Sequence, residues 1–282
     1  MATIAVTGST GQLGGRVARR LERAGVPQKL LVRDLSRAPQ LYGSEAVQAS
    51  YGDSDAAAAA LAAVPTVLMV SGSETLDRVD QHRSFVDAAV AAGVEHLVYT
   101  SFVGASPTAT FTLVRDHWAT EEYIRASGLA YTFLRDNIYA DFLPGMVGAD
   151  GVLRGPAGNG RLAAVAQDDI ADVAAAVLQD PAAHRGATYN LTGPAALTLA
   201  EVAAVISEVT GRTVSYHPET LAEAYASRES YGAPDWQVEA WVSTYTAIAA
   251  GELQTVTTDV QSVTGHPATS LDELLRRGSE NR

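Results

Sequence analysis

Thr7-Gly8-Ser9-Thr10-Gly11-Gln12-Leu13-Gly14 follows an apolar run, Ile4 to Thr7, and leads into a helical pattern over Gln12 to Ala24. Strand, glycine-rich turn and helix in that order predict the first βα turn of a dinucleotide-binding fold. In such a turn Gly8 permits the sharp reversal, Gly11 lets the backbone approach a pyrophosphate, and Gly14 lets the helix pack on the strand. Thr10, Gln12 and Leu13 complete the loop, and the helix N-terminus adds N–H groups and partial positive charge. The first gap holds two residues where G-x-G-x-x-G holds one. A purely structural glycine turn is therefore the alternative, and the surroundings decide between them.

Outward from the turn, short apolar runs alternate with longer helical patterns as far as residue 136. The runs are Ile4 to Thr7, Leu30 to Val32, Val47 to Ala49, Val67 to Val70, Leu97 to Thr100 and Tyr131 to Leu134. Most are apolar at every position, as strands covered on both faces must be. Helices are predicted over Gln12 to Ala24, Asp55 to Ala63, Asp77 to Ala92 and Arg115 to Ser127, and Gly25, Gly93 and Gly128 stand ready to end three of them. The expected class is α/β, a doubly wound parallel sheet of the Rossmann type with a smaller C-terminal α/β lobe. Residues 1–136 form the dinucleotide-binding domain and 137–282 mainly a substrate-binding lobe, with later strands free to return to the sheet. Glycines 145 to 160 read as a loop over the cleft, Thr188 to Leu191 as a strand of the lobe, and Thr198-Leu-Ala-Glu201 as a capping box opening a helix that ends near Gly211. Ser270-Leu-Asp-Glu273 repeats the device.

Composition narrows the function. Across 282 residues, 20 Lys and Arg face 32 Asp and Glu, a net charge of -12 that disfavours nucleic acid and anionic membranes as partners. Cysteine is absent, which excludes a thiolate nucleophile and a cysteine metal site, and the six histidines show no metal-ligand spacing. No signal peptide or spanning segment is expected. A cytoplasmic protein acting on a small molecule, compatible with a homo-oligomer, fits these facts.

Cofactor choice is read at the end of the second strand, where an acid would hold ribose hydroxyls and repel a 2′-phosphate. Arg33 stands there, with Ser36 and Arg37 on the next turn, so NADP(H) is favoured over NADH; Asp34 argues the other way, and a solvated strand-end cation is the structural alternative. Asp53, Ser71, Gly72, Ser101 and Phe102 follow the third, fourth and fifth strands, at the carboxyl ends where ligands bind in such sheets. Each serine, like Asp53, has a turn role as its alternative. Lys29 is the only lysine, so the Tyr-x-x-x-Lys dyad of ordinary short-chain dehydrogenases cannot exist, and no Gly-x-Ser-x-Gly elbow is present.

Together with the glycine turn, His117-Trp-Ala-Thr-Glu121, Tyr131-Thr-Phe-Leu-Arg135 and Gly265-His-Pro267 resemble the NmrA-like atypical short-chain dehydrogenases, over essentially the whole chain. Within that group the chain is similar to bacterial NADPH:quinone oxidoreductases and triphenylmethane dye reductases. The resemblance implies hydride transfer from NADPH to a quinone or similar conjugated acceptor. The group also contains proteins that only sense the dinucleotide and act through a protein partner, and reduction of an imine, dye or enone uses the same geometry. Carried over by position, His117 is the expected hydrogen-bond donor or proton source, with a packing role as its alternative. Asn137 and Tyr139 fall in the segment that approaches the nicotinamide, Tyr139 shaping the substrate face. Asp136 departs from the pattern, which implies a neutral or small residue there. Tyr216, Tyr225, Tyr231, Trp236 and Trp241 form either an aromatic wall for a planar substrate or an aromatic core.

Overall fold

In the computed structural model, which describes residues 4–280, β1 (Ile4–Thr7), β2 (Gln28–Val32), β3 (Ser44–Gln48), β4 (Thr66–Met69), β5 (His96–Phe102) and β6 (Ala130–Asp136) alternate with α1 (Gln12–Arg23), α2 (Ser54–Leu61), α3 (Arg78–Ala91) and α4 (Thr112–Ala126). Further along lie β7 (Val152–Gly155), β8 (Arg161–Leu162), α5 (Gln167–Gln179), β9 (Thr188–Leu191), β10 (Leu197–Thr198), α6 (Leu199–Thr210), β11 (Ser215–Pro218), α7 (Leu221–Arg228), α8 (Asp235–Ala249), α9 (Asp259–Thr264) and α10 (Leu271–Glu280).

The main sheet is parallel, seven-stranded and ordered β3-β2-β1-β4-β5-β6-β9, so the winding reverses between β1 and β4. β1 and β4 are buried at every position because helices cover both faces, whereas β3 lies at the open edge and carries Ser44, Glu45 and Gln48. One face packs Val17 and Leu21 of α1 against Ile170, Val173 and Val177 of α5. The other packs α2, α3 and α4 through Leu61, Phe85 and Ile124.

The six strands expected from the sequence are therefore seven. Thr188 to Leu191, expected in the lobe, pairs in parallel with β6 from Phe133↔Thr188 to Asp136↔Leu191. The physical reason is α5: its apolar stripe requires the sheet, so the chain crosses back and the next extended segment extends that sheet. Arg16 and Arg20 of α1 fix the crossover through ion pairs to Asp168 and Asp172. Lys29 donates to Ala60 and Ala62 carbonyls at the end of α2, a structural use of the lone lysine.

The rest of the late chain builds a lobe around Leu153, Leu199, Ile206 and Ile248. Here β7 pairs with β11 and β8 with β10. The glycine-rich stretch expected to be a loop contains β7, and two of its glycines sit where α8 packs: a Cβ on Gly155 would lie 2.1 Å from the Tyr245 ring, and one on Gly160 2.1 Å from the Ile248 carbonyl. The capping box at Thr198 and Glu201 forms in both directions, and α6 ends on left-handed Gly211. Of the aromatic residues at issue, Tyr231 and Trp241 meet edge to face and line an open cleft of the lobe, of about 640 Å³, with Arg154 and Tyr245. Tyr216 instead donates to the Gly155 carbonyl inside the lobe. Among the described residues no helix is long and apolar enough to cross a membrane.

Candidate active site

A cleft of about 450 Å³ opens at the carboxyl ends of β1, β2 and β4, at the point where the winding reverses. Gly8, Thr10, Arg33, Ser71 and Gly72 line it, as does Tyr51, which sequence reasoning passed over. Gly11, Gln12, Leu13 and Gly14 carry the chain from the cleft into α1. Gly8 takes φ +65°, and a Cβ on Gly14 would stand 2.4 Å from the Gly8 carbonyl oxygen, a contact only glycine avoids. Gly11 is the N-cap of α1 and no side chain caps the helix, so its first-turn N–H groups have neither an intrahelical nor a capping partner, the arrangement that suits an anion.

Arg33 is exposed at the cleft rim. Asp34, the residue that argued for NAD, turns away: its carboxylate accepts from Ser36 N at 2.9 Å and Ser36 Oγ at 2.7 Å. Those bonds hold its carboxyl below the usual range. The acid thus shapes the short 3-10 turn Leu35–Arg37, which carries exposed Arg37 one turn beyond Arg33. Asp53 lies outside the cleft lining; its side chain accepts from Ala56 N as the N-cap of α2, the turn role left open above.

Tyr51 closes the floor. Its hydroxyl donates to the Val70 carbonyl and meets Thr7 Oγ1 at 2.5 Å, while Thr7 Oγ1 accepts from Val70 N at 2.9 Å. Burial pushes the Tyr51 hydroxyl up, so it stays protonated and ties the ends of β1 and β4 together.

Beyond β5 and β6 the expected residues divide. Ser101 faces away from the cleft, its Oγ donating to buried Glu121 at 2.6 Å. Phe102 packs edge to face on Phe111 in the lobe core. Asn137, expected beside the nicotinamide, uses both ends of its amide inside the protein: Nδ2 donates to the Leu253 carbonyl and Oδ1 accepts from Ile138 N. It pins the sheet to the lobe. Tyr139 remains partly accessible, with its hydroxyl donating to Asp136 Oδ2 at 3.0 Å and its ring 5.3 Å from half-exposed Phe142. Asp136 is 1% exposed and its Oδ1 has no partner. Burial raises its carboxyl well above the ordinary range and so favours its protonated form; the Tyr139 hydroxyl is raised likewise, by burial and by Asp136.

His117 lies outside the cleft lining, in the packed environment given above as its alternative. Its Nε2 lies 3.1 Å from Arg78 Nη2, and a guanidinium only donates, so Nε2 accepts. The proton then sits on Nδ1, which faces the Tyr99 hydroxyl at 3.0 Å. Both nitrogens are engaged and the ring is buried; burial, with the Arg78 charge beside it, holds the imidazole neutral. A ring so placed holds Arg78 and Tyr99 in position, with its one proton committed toward the Tyr99 hydroxyl. Arg78, buried in the first turn of α3, was not foreseen, nor was Glu121, although Glu121 ends one of the family-like motifs quoted from the sequence.

The profile of the NmrA-like family matches residues 1–233. Quinone oxidoreductase 2 of Escherichia coli (strain K12) is 35% identical over 279 residues, 96% of this chain and 97% of that protein. Among solved structures, the NADPH-dependent quinone oxidoreductase of Escherichia coli in complex with NADPH superposes with a TM-score of 0.89 at 34% identity, covering 98% of this chain and 99% of that one. The triphenylmethane reductase of Citrobacter sp. complexed with NADP(H) gives 0.87 at 33% identity, covering 97% and 99%. With a seven-stranded doubly wound sheet, a three-glycine cradle at its switch point and full-length relatives of this kind, the chain belongs to the NmrA-like family.

Proposed function

We propose that the protein is an NADPH-dependent oxidoreductase that transfers hydride to a quinone or a similar conjugated acceptor. The observation that carries this reading is the pairing of the glycine cradle at the α1 N-terminus with exposed Arg33 at the rim of one cleft, in a chain that resembles quinone and dye reductases over its length. The residues fit the cofactor. The backbone of Gly8 to Leu13 accommodates a pyrophosphate, Arg33 with Arg37 accommodates a 2′-phosphate, and Asp34, the acid next to Arg33, is already bonded to Ser36. NADPH supplies the hydride when bound.

The chain itself supplies the proton. Tyr139 and Asp136 are both held protonated and share one hydrogen bond, which leaves a proton in excess of the bond between them. Tyr139, the partly exposed member, turns its hydroxyl proton from Asp136 to the oxygen of the acceptor that hydride has reduced, and Asp136 passes its own proton to the resulting tyrosinate. One hydride and one proton convert a quinone to a hydroquinone, whose aromatic ring stabilises the product, so little acid strength is required.

The test follows loss of dihydronicotinamide absorbance when the protein is mixed with NADPH or NADH and a panel of quinones and dyes. Quinone-dependent oxidation faster with NADPH than with NADH is the expected result. Calorimetric binding of NADP(H) without turnover of any acceptor overturns the catalytic reading and leaves a dinucleotide sensor.

A further inference from the structure

We propose that His82 is a positioning residue for the cofactor cleft: by accepting the Gly72 N–H it fixes the loop after β4 in its binding conformation. The inference rests on the NADP(H) reading above.

Three consecutive amides end β4, and each is taken by a side chain. Val70 N donates to Thr7 Oγ1 of β1 at 2.9 Å and Ser71 N to Thr100 Oγ1 of β5 at 2.8 Å. Gly72 lies beyond the reach of either neighbouring strand, and its N–H is met at 2.8 Å by Nε2 of His82, from α3. With all three donors turned inward, the other side of the loop is what the cleft receives, since Val70, Ser71 and Gly72 all line it.

The direction of each bond is fixed. Nε2 accepts from Gly72, so the His82 proton is on Nδ1, which donates to Thr120 Oγ1 at 2.9 Å; that hydroxyl donates to the Asp116 carbonyl at 2.8 Å. A one-way chain thus runs from the cleft loop through α3 into α4. The ring is 1% exposed and clamped between the edges of Tyr51 and Tyr99, at 5.9 and 5.8 Å. Burial, then the Arg78 charge, brings the imidazole down to about 3, so the acceptor lone pair persists at working pH. Glycine at 72 is part of the device: a Cβ there would lie 3.2 Å from Nε2.

The experiment compares His82→Ala, His82→Gln and Gly72→Ala in the full chain. It reads NADPH Kd by fluorescence titration, amide exchange of the segment around Gly72, and the separate changes in KM for NADPH and kcat. His82→Ala is expected to weaken NADPH about tenfold, the worth of one lost buried hydrogen bond, with faster exchange around Gly72 and a larger change in KM than in kcat. His82→Gln, whose amide oxygen offers an acceptor, is expected to restore most of the affinity. Gly72→Ala, which pushes the ring away, is expected to imitate His82→Ala and carries the test should that variant fail to fold. An unchanged NADPH Kd in folded His82→Ala or Gly72→Ala overturns the proposal, as does His82→Gln failing to the same degree as His82→Ala. Failure of the wild-type chain to bind NADPH would instead refute the function itself.

Discussion

Arg135 grips Glu121 with two parallel hydrogen bonds, Nε to Oε1 at 2.8 Å and Nη2 to Oε2 at 2.6 Å. Glu121 is fully buried, and its remaining acceptor capacity is filled by Ser101 Oγ and Arg125 Nη2. The two residues end separate motifs in the sequence, yet together they clamp α4 across β5 and β6, beneath the strand ends that lead to Asn137 and Tyr139.

Breaking that clamp leaves guanidinium or carboxylate charge without its partner in a low-dielectric site. Glu121→Ala is expected to lower unfolding free energy by about 3–5 kcal/mol, measured by urea denaturation. Arg135→Lys should recover only part of it, because an ammonium cannot make both bonds of the fork. A Glu121→Ala midpoint equal to wild type would show that the pair contributes nothing net.

Arg33 should decide between the dinucleotides. Loss of a charge-assisted bond to a phosphate is worth about 1.5–3 kcal/mol, so Arg33→Ala is expected to weaken NADPH roughly 10- to 100-fold while leaving NADH nearly unaffected. Calorimetric titration with both nucleotides checks this. Equal weakening of the two would move the 2′-phosphate contact elsewhere, with Arg37 the next residue to test.

Much of this fold could be read from the chain because the signals were local. β1 was placed to the residue, since a run buried on both faces is apolar without interruption, and the spacing of Gly8, Gly11 and Gly14 between strand and helix announced a turn that the structure realises with φ +65° at Gly8 and a tight approach at Gly14. The errors were errors of distance. Nothing within Thr188 to Leu191 says that it pairs with β6 rather than with the lobe; that follows from α5, whose apolar stripe needs the sheet. The same holds in the site. His117 reads as a free imidazole until Arg78, 39 positions earlier, is seen to occupy Nε2, and Tyr51 becomes part of the cleft only through bonds to Thr7 and Val70. Asp136 departs in sequence from the expected neutral residue, and only its burial, which favours the neutral acid, shows why a carboxyl can stand there.

Buried imidazoles set the acid limit of stability. His82 and His96 are brought down to about 3 and about 4, chiefly by burial, and His117 is also held well below its ordinary value. Each is neutral in the folded chain and titrates near 6.5 when unfolded. Below about pH 6.5 the unfolded state therefore binds more protons, and stability falls as pH drops toward the folded values. The histidines' share of the urea midpoint, measured from pH 8 to pH 5 against the Asp136→Asn background, should be flat at first and then decline. His117→Gln should lessen the decline, at the cost of weaker bonds to Arg78 and Tyr99, and should leave the shape of the kcat profile near neutral pH unchanged, because the wild-type ring does not titrate there.

Asp136 acts with the opposite sign. Its folded carboxyl lies well above the ordinary value of 3.8, so from about pH 4 upward the folded state holds a proton that the unfolded state has lost. Stability is lost through this residue as pH rises, until the folded carboxyl itself ionises. Asp136→Asn removes the penalty without changing shape, since an amide fills the same space and still accepts from the Tyr139 hydroxyl. The variant should match wild type in urea at pH 4 and become progressively more stable than wild type toward pH 8. Turnover should move the other way, because an amide cannot return a proton to Tyr139: kcat with a quinone is expected to fall while NADPH affinity holds. A variant less stable than wild type at pH 8 would mean that Asp136 is ionised and paired in the folded chain, and unchanged kcat would remove the residue from proton delivery.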